Sequence, residues 1–457
     1  MLKTSNYNFT VDAEDGSLLL YNTRTGAFAA IEAGNAGAVK KLLTDPALNI
    51  NDDLKGALKQ NGFLVPAGTD ELAQVKSRFE HFRNGDKSMT LTMLASENCN
   101  FRCPYCFIYD RRGISMAFWV YNAVLEMISR KITPDLSLAV NWFGGEPTLE
   151  RENIIGFMGR LNEILRRYPG VKFRSSMVTN GYLLTGKTFK EYLASGIKKF
   201  QVTIDGAEDS HNKTRVLKNG AGTFKRIWAN LEEIKESSGA SDDFNVTVRV
   251  NFLKGQDDQV LGLMDLFKTT FRSDPRFTIY FRAVYNIETS REDINGIRDN
   301  IYGALEGANK QLDYYLLSAE KTGVLDNNLQ VVAPVPSPIP GWCAAQRKNS
   351  WTVGADGLLF KCDTYVGEAS KAGGKLMPGG GIERFNIVHE WDENIYDKEN
   401  LKCFNCKFIP VCQGGCPRGR TERIAKGICY FNEDMIKKGM LATHAHNRNK
   451  HAVAAGV

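Results

Sequence analysis

The ten cysteines of this 457-residue chain fall into two groups with none left over. The first is Cys99-x3-Cys103-x2-Cys106. The second comprises Cys343, Cys362, Cys403-x2-Cys406-x5-Cys412-x3-Cys416 and Cys429, with Gly357 between its first two members. No cysteine lies between Cys106 and Cys343, so each group reads as one coordination problem. Three thiolates cannot close a four-coordinate site, whereas seven nearly close two. That arithmetic predicts metal chemistry with open coordination positions. Disulfides suit short secreted domains, but this chain is long and its first residues, MLKTSNYNF, lack the apolar stretch of a secretory signal. Zinc is the stronger competitor for the second group, because Cys403-x2-Cys406 is also a zinc spacing. The first group offers zinc only three thiolates and no neighbouring histidine. Iron–sulfur ligation by cysteine triads and quartets fits both. A reducing cytoplasm is the expected compartment.

Composition is that of an ordinary soluble protein, with 43% hydrophobic and 24% charged residues. A net charge of +6 is mild for this size. It suits an acidic peptide or nucleotide phosphates, and the basic residues form no stripe, so no nucleic acid is expected as a partner. No long apolar segment predicts a membrane span. Three of the six histidines, His444, His446 and His451, fall in a tail that reads as a solvated end.

The elements that must position the cysteines follow from periodicity. Residues 1–88 read as a separate winged-helix-like module: strands at Tyr7–Val11, Leu18–Asn22 and Ala27–Ile31, helices near Ala36–Leu43 and Asp53–Gln60, a strand at Gly62–Val65 and a helix at Asp70–Phe82. From Met89 strands alternate with helices. Strands are predicted at Met89–Ala95, Ser137–Phe143, Lys172–Val178, Lys199–Ile204, Asn245–Phe252 and Phe277–Phe281. Helices are predicted at Phe118–Lys131, Asn153–Arg167, Thr188–Gly196 and Phe224–Glu236. Repeated strand–helix units imply parallel strands with right-handed crossovers. Six units predict an α/β fold, a partial (β/α)6 TIM-like barrel over residues 89–320, with its site at the C-terminal strand ends. A proline-rich bridge (321–342, including Pro334 to Pro340) leads into a cysteine-rich module at 343–457. Its glycine-laden insert, Gly373 to Gly381, reads as a mobile loop.

Further motifs cap the strands in turn. Gly144-Gly145-Glu146-Pro147 ends the second, Thr179-Asn180-Gly181 the third and Thr203-Ile204-Asp205-Gly206 the fourth, with Arg215 soon after. With Cys99, Cys103 and Cys106 on the loop after the first strand and Tyr105 before the last of them, the chain resembles the radical S-adenosylmethionine (SAM) superfamily. The resemblance implies a cubane with one open iron that takes the amino and carboxylate groups of SAM, and a 5′-deoxyadenosyl radical that abstracts hydrogen. It further implies that Gly144 and Gly145 admit close backbone approach and that Glu146 accepts from the cofactor's ammonium. Asn180 would face the ribose or the methionine moiety, Thr203 and Arg215 would hold the methionine carboxylate, and Asn251 would lie near the adenine.

The seven later cysteines, with Gly357, resemble the SPASM extension of that superfamily, making the C-terminal region a SPASM iron–sulfur domain. Two auxiliary four-iron–four-sulfur clusters are implied, three in all. Cys403, Cys406, Cys412 and Cys429 would close the outer one, and Cys343, Cys362 and Cys416 would hold the inner one. Sulfatase-maturing relatives supply one more cysteine after the first of the motif, and Ala344–Trp351 contains none. Asp363 or a smaller cluster would account for that gap. The sharper expectation is a substrate thiolate at the open iron, its pKa lowered there, which would have to come from another chain. Asp363 follows Cys362, where sulfatase maturases carry the aspartate that deprotonates their substrate.

The expected function is therefore a peptide maturase of the thioether-forming, ranthipeptide or sactipeptide type. It would act on a ribosomally made precursor peptide whose leader adds a strand to the N-terminal module, with a flavodoxin or ferredoxin as reductant. Anaerobic sulfatase maturation, carbon–carbon cross-linking and a redox-sensing nucleic-acid-binding regulator are the competing readings.

Overall fold

A computed structural model describes the chain except for residues 49–50, 107, 109–111, 240, 272–273, 285–296, 323–334, 387–394, 398–401, 419–428 and 455–457. Pro334 and most of the proline-rich bridge lie outside the described residues. The chain divides into two compact units: Met1–Arg83 with Ala304–Cys343 and Glu393–Val457, and Asn84–Gly303 with Ala344–Asp392.

In the first unit, β1 (Leu2–Thr4) pairs antiparallel with β5 (Leu64–Pro66). The strands β2 (Asn8–Asp12), β3 (Leu18–Asn22) and β4 (Phe28–Ile31) form an antiparallel sheet with β3 at its centre. Three helices follow: α1 (Ala33–Thr44), α2 (Asp52–Gln60) and α3 (Glu71–Asn84). Alternation along β3 explains why all five of its residues are buried. Leu18 and Leu20 face a core with Val39, Leu42 and Leu58. Leu19 and Tyr21 face the other way, with Phe9, onto Val411, Phe431, Ile436 and Met440 of the C-terminal region. Residues 1–83 therefore do not stand apart as the expected separate module, because one face of their sheet is covered by the cysteine-rich region. Within the expected solvated tail, His444 is held by a partner, while the side chain of His451 lies outside the described residues. Glu433–Ala454 is a helix, and His444 and Arg448 both reach Asp15, at 2.9 and 2.6 Å.

The second unit is built on one ten-stranded sheet. Its parallel strands are β6 (Ser88–Ser96), β7 (Ser137–Gly144), β8 (Lys172–Thr179), β9 (Lys199–Ile204), β10 (Asn245–Phe252) and β11 (Phe277–Ala283), in sequential spatial order. The helices between them are α4 (Phe118–Lys131), α5 (Arg151–Leu165), α6 (Gly186–Ala194), α7 (Glu208–Thr214), α8 (Phe224–Ser237) and α9 (Asp257–Phe271). Of these, α7 and α9 have no counterpart in the sequence expectation, although the stripe of Val260, Leu263, Met264, Phe267 and Phe271 in α9 carries the helical period.

One face of each strand meets helices. Trp142 packs edge-on to Phe157 of α5, and Phe200 lies 4.8 Å from Phe189 of α6. The opposite face is polar, with Thr203, Arg249 and Tyr280 in one register row and Asn251 beside Arg282 in the next. An open sheet with a polar inner face suits the expected partial barrel.

Beyond β6 the sheet continues through β12 (Ser350–Val353), parallel to β6. It then runs on through β13 (Leu358–Phe360), β14 (Gly374–Leu376) and β15 (Ile382–Arg384), each antiparallel to the strand before it. The expected mobile loop at 373–381 is thus part of a hairpin. Its glycines are needed because it lies on α4, where a Cβ on Gly380 would meet Met127 N at 2.4 Å.

Candidate active site

Every barrel motif sits where a parallel strand ends, and backbone contacts bind the loops to one another. Gly145 N donates to Ser96 O at 2.9 Å and Glu146 N to Asn98 O at 2.8 Å. A Cβ on Gly144 would lie 2.2 Å from Ser96 O, and one on Gly145 would lie 2.1 Å from Asn98 O. Both glycines are required by that approach, and Gly144 also has φ +132. On its other side the cysteine loop is bridged to the segment after Arg215. Phe101 pairs with Leu217, Arg102 N donates to Val216 O at 3.1 Å and Lys218 N to Asn100 O at 3.0 Å.

Glu146 is buried and saturated with donors. Thr148 N, Thr148 Oγ1 and Thr179 Oγ1 donate to Oε1 at 3.0, 2.6 and 2.6 Å, and Asn180 N donates to Oε2 at 2.7 Å. Burial raises its carboxyl pKa and these donors oppose the rise. Its visible task is to tie the end of β8 to the Gly-Gly-Glu turn. Asn180 leans toward the cysteine loop, with Nδ2 donating to Asn100 Oδ1 at 2.7 Å and lying 3.9 Å from Cys99 Sγ.

A second buried cluster joins the cysteine loop, the turn after β9, the end of α7 and β10. Tyr105 and Thr214 donate to Asp205 Oδ2, the latter at 2.7 Å. Arg215 Nη1 and Asn251 Nδ2 donate to the Tyr105 hydroxyl at 3.1 and 3.4 Å. The Arg215 guanidinium also lies over Phe101, 5.6 Å from the ring centroid. Burial pushes the Asp205 carboxyl up while Arg215 and the two hydroxyls pull it down. Burial likewise opposes the charge on Arg215, yet Tyr105, Cys103 and Asp205 beside it keep the guanidinium protonated.

His211, which no motif or spacing marks, fixes this cluster from behind. Burial, with Arg215 nearby, holds it well below the usual histidine range and so neutral. Nδ1 accepts from Asp205 N at 3.2 Å, which puts the ring proton on Nε2, facing Thr223 Oγ1 at 2.9 Å. Thr223 in turn donates to Arg215 O at 2.6 Å.

Thr203 is buried one register row from these groups, beside Arg249, whose Nε donates to Asn251 Oδ1 at 2.9 Å. Asp363 is half-buried next to Cys362, whose Sγ lies 3.6 Å from its Oδ1. Burial raises its carboxyl pKa, and the Cys362 thiol and Arg249 act against the rise. Gly357 closes the β12–β13 turn at φ +83, where a Cβ would strike Trp119 at 2.6 Å. The neighbouring Asp356 reaches Arg112, which also pairs with the buried Glu97 beside the cysteine loop.

None of the ten cysteines is joined in a disulfide. Cys103 interacts with Cys99 and Cys106, and burial pushes its thiol up to about 12, so a metal must displace that proton. In the first unit, Cys412 interacts with Cys403, Cys406 and Cys429. Cys343 and Cys416 belong to the first unit and Cys362 to the second. Among the described residues no three His, Cys, Asp or Glu side chains converge on a single-ion site. A cubane does not ask for that, since its thiolates ligate separate irons. The SAM side passes a similar test. Asp205 Oδ1 and Arg215 Nε are buried without a protein partner, an acceptor and a donor beside the three-thiol loop.

Residues 93–267 match the Radical SAM superfamily, and the chain is a radical SAM enzyme. Enzymes of this class bind SAM and a four-iron–four-sulfur cluster. The cysteine-type anaerobic sulfatase-maturating enzyme of Clostridium novyi (strain NT) is 26% identical, over 74% of this chain and 91% of the relative. The radical SAM cyclopropyl synthase TigE of Paramaledivibacter caminithermalis is 25% identical, over 94% of this chain and 93% of the relative. Among solved structures, native anSMEcpe with bound AdoMet and Cp18Cys peptide superposes with a TM-score of 0.55 at 20% identity. It covers 81% of this chain and 99% of that one, and shows a shared fold. Among the described residues no helix is long and apolar enough to cross a membrane.

Proposed function

We propose that this enzyme uses SAM to abstract a hydrogen atom from a residue of a peptide substrate and joins the resulting carbon to a cysteine sulfur. The observation that carries the hydrogen-abstraction step is the unpartnered pair of Asp205 Oδ1 and Arg215 Nε, buried next to the Cys99–Cys106 loop. When bound, the reduced cluster and SAM supply the 5′-deoxyadenosyl radical. The protein's part is orientation. Arg215 and Thr203 hold the methionine carboxylate, and Asp205, steadied by Tyr105 and Thr214, accepts from the nucleoside. Asn251 borders the adenine, while Glu146 and Asn180 shape the loop that carries Cys99. Cytoplasmic location, a protein reductant and two auxiliary clusters complete this reading.

Peptide substrates are supported by relatives named for sulfatase maturation and by the Cp18Cys peptide bound in the similar anSMEcpe structure, and the match to the cyclopropyl synthase spans nearly the whole chain, residues of the N-terminal sheet included. That sheet has β2 and β4 as its edge strands, where a leader peptide can add a strand. Thioether formation is favoured by the absent eighth cysteine. It would balance with the carbon losing hydrogen to the nucleoside radical, the thiol losing a proton, and an auxiliary cluster, when bound, as the acceptor of one electron.

Formylglycine formation is the second reading, favoured by Asp363 beside Cys362 and by the sulfatase-maturating relatives. Anaerobic reaction with SAM, dithionite and a cysteine-containing peptide separates the two. A product that has lost two hydrogens and its free thiol supports the thioether, and an aldehyde supports formylglycine. Asp363→Asn is expected to slow product formation while leaving 5′-deoxyadenosine release. Full activity would remove the carboxylate from the chemistry, and absence of 5′-deoxyadenosine from the parent enzyme would overturn the whole reading.

A further inference from the structure

Gln413 is the one non-glycine residue with positive φ among the described residues, at φ 48 and ψ 35, and it is fully buried. It sits between Cys412 and Cys416 and is followed by Gly414 and Gly415, with φ 75 and 70, so three left-handed residues run in succession. Glycine adopts that conformation without strain, and a side chain opposes it. A glutamine there needs a reason, and its amide supplies one. Nε2 donates to Ile339 O at 3.1 Å, and Oε1 accepts from the Tyr396 hydroxyl at 2.7 Å. The backbone is closed as well, with Gln413 N donating to Ile409 O at 2.9 Å and Gly415 N to Cys412 O at 2.8 Å.

The turn leaves the Gly414 N–H facing Cys412, where it acts against the rise that burial causes in the thiol pKa, and just before the turn Phe408 N donates to Cys406 Sγ at 3.4 Å. Successive N–H groups where a right-handed residue is followed by a left-handed one, as Cys412 is by Gln413, form a concavity that favours negative charge. Hydrogen bonds to cluster sulfurs are one of the protein's controls on reduction potential.

We propose that Gln413 is a positioning residue for an iron–sulfur cluster held by Cys403, Cys406, Cys412 and Cys429. By locking the left-handed turn it directs the Gly414 N–H at Cys412 and keeps the cluster's potential higher than an unanchored loop would. The inference rests on the auxiliary-cluster reading.

The test is a potentiometric titration, followed by electron paramagnetic resonance, of the anaerobically reconstituted full-length protein. The relevant signal is the one lost in Cys403→Ala. Gln413→Gly removes the anchor and relieves the strain, and Tyr396→Phe removes one of the two side-chain bonds. Gln413→Gly is expected to lower the reduced-to-oxidised ratio at fixed ambient potential about tenfold, a shift of about 59 mV for one electron. Tyr396→Phe is expected to shift it less, in the same direction. Should Gln413→Gly lose its iron, a downward shift in Tyr396→Phe still supports the proposal. An unchanged or raised potential in Tyr396→Phe overturns it, as does an unchanged potential in an iron-replete Gln413→Gly protein. Absence of any Cys403-dependent signal would remove the auxiliary-cluster reading and this inference together, whereas a signal indifferent to both substitutions removes this inference alone.

Discussion

The two cysteine-rich regions are held in place by different forces. Around Cys99–Cys106 the fixing contacts are backbone to backbone, from Ser96 and Asn98 to the Gly-Gly-Glu turn on one side and from Asn100 and Arg102 to Val216 and Lys218 on the other. Around Cys403–Cys416 they are side-chain packing. Cys412 and Phe408 lie against Phe9 and Tyr21, and Cys403 and Phe404 against Tyr7, Val75 and Phe79. The first region is made by loops at the ends of adjacent strands in one sheet. The second depends on residues several hundred positions away. A substitution near the first group is therefore felt through glycine sterics and hydrogen bonds, and one near the second through apolar burial.

The comparison can be tested by substitution. Cys103→Ala is expected to abolish 5′-deoxyadenosine formation while leaving the Cys403-dependent iron in place. Coupled loss of both, by iron and sulfide analysis, would mean the regions are not separately held. Phe9→Ala, far in sequence from any cysteine, is expected to cost about 3–5 kcal/mol by denaturant titration and to lower iron occupancy at Cys403–Cys429. 5′-deoxyadenosine release should survive it. Gly145→Ala should do the reverse. The 2.1 Å approach to Asn98 O forces the loops apart, at a cost of about 2–4 kcal/mol, with loss of SAM cleavage and little change at the second group. Arg215→Lys keeps the charge but loses the fork. It should raise the KM for SAM about tenfold or more, in line with a charged hydrogen bond of about 1.5–3 kcal/mol. A lysine variant with unchanged KM would separate Arg215 from the cofactor.

The packing in the first unit also affects how the N-terminal residues are studied. Removing residues 1–83 would strip Phe9, Leu19 and Tyr21 from Val411, Phe431, Ile436 and Met440. Lost peptide affinity after such a deletion would then report unfolding as much as lost recognition. Substitution with proline on the edge strand β4 leaves that core covered and is the cleaner probe of strand addition.

Much of the barrel was legible because its signals are local. Strand alternation, the capping motifs and the cysteine spacings all lie within short windows, and a parallel sheet in sequential order places consecutive motifs side by side. His211, Thr214 and Thr223 were not legible, since a buried histidine between Asp205 and Arg215 has no spacing that marks it. Glu146 shows another limit. Its position was readable, but not that four donors from the turn and β8 would occupy its oxygens. The order of the glycine insert and the pairing of His444 were not legible for a related reason. A glycine-rich stretch reads as mobile and a terminal histidine as solvated, and here contact with α4 holds the one and Asp15 the other.

The sequence by itself determined the chemistry: which thiols group together, which strand end carries each motif, and the class of cofactor they suit. Tertiary structure alone decided that β3 serves two cores, that β12–β15 extend the barrel sheet, and that Gln413 rather than glycine takes a left-handed turn. The division follows from range. Ligand identity and spacing are written in consecutive residues, whereas burial and the bonds of a side chain depend on whatever distant segment the fold brings against it.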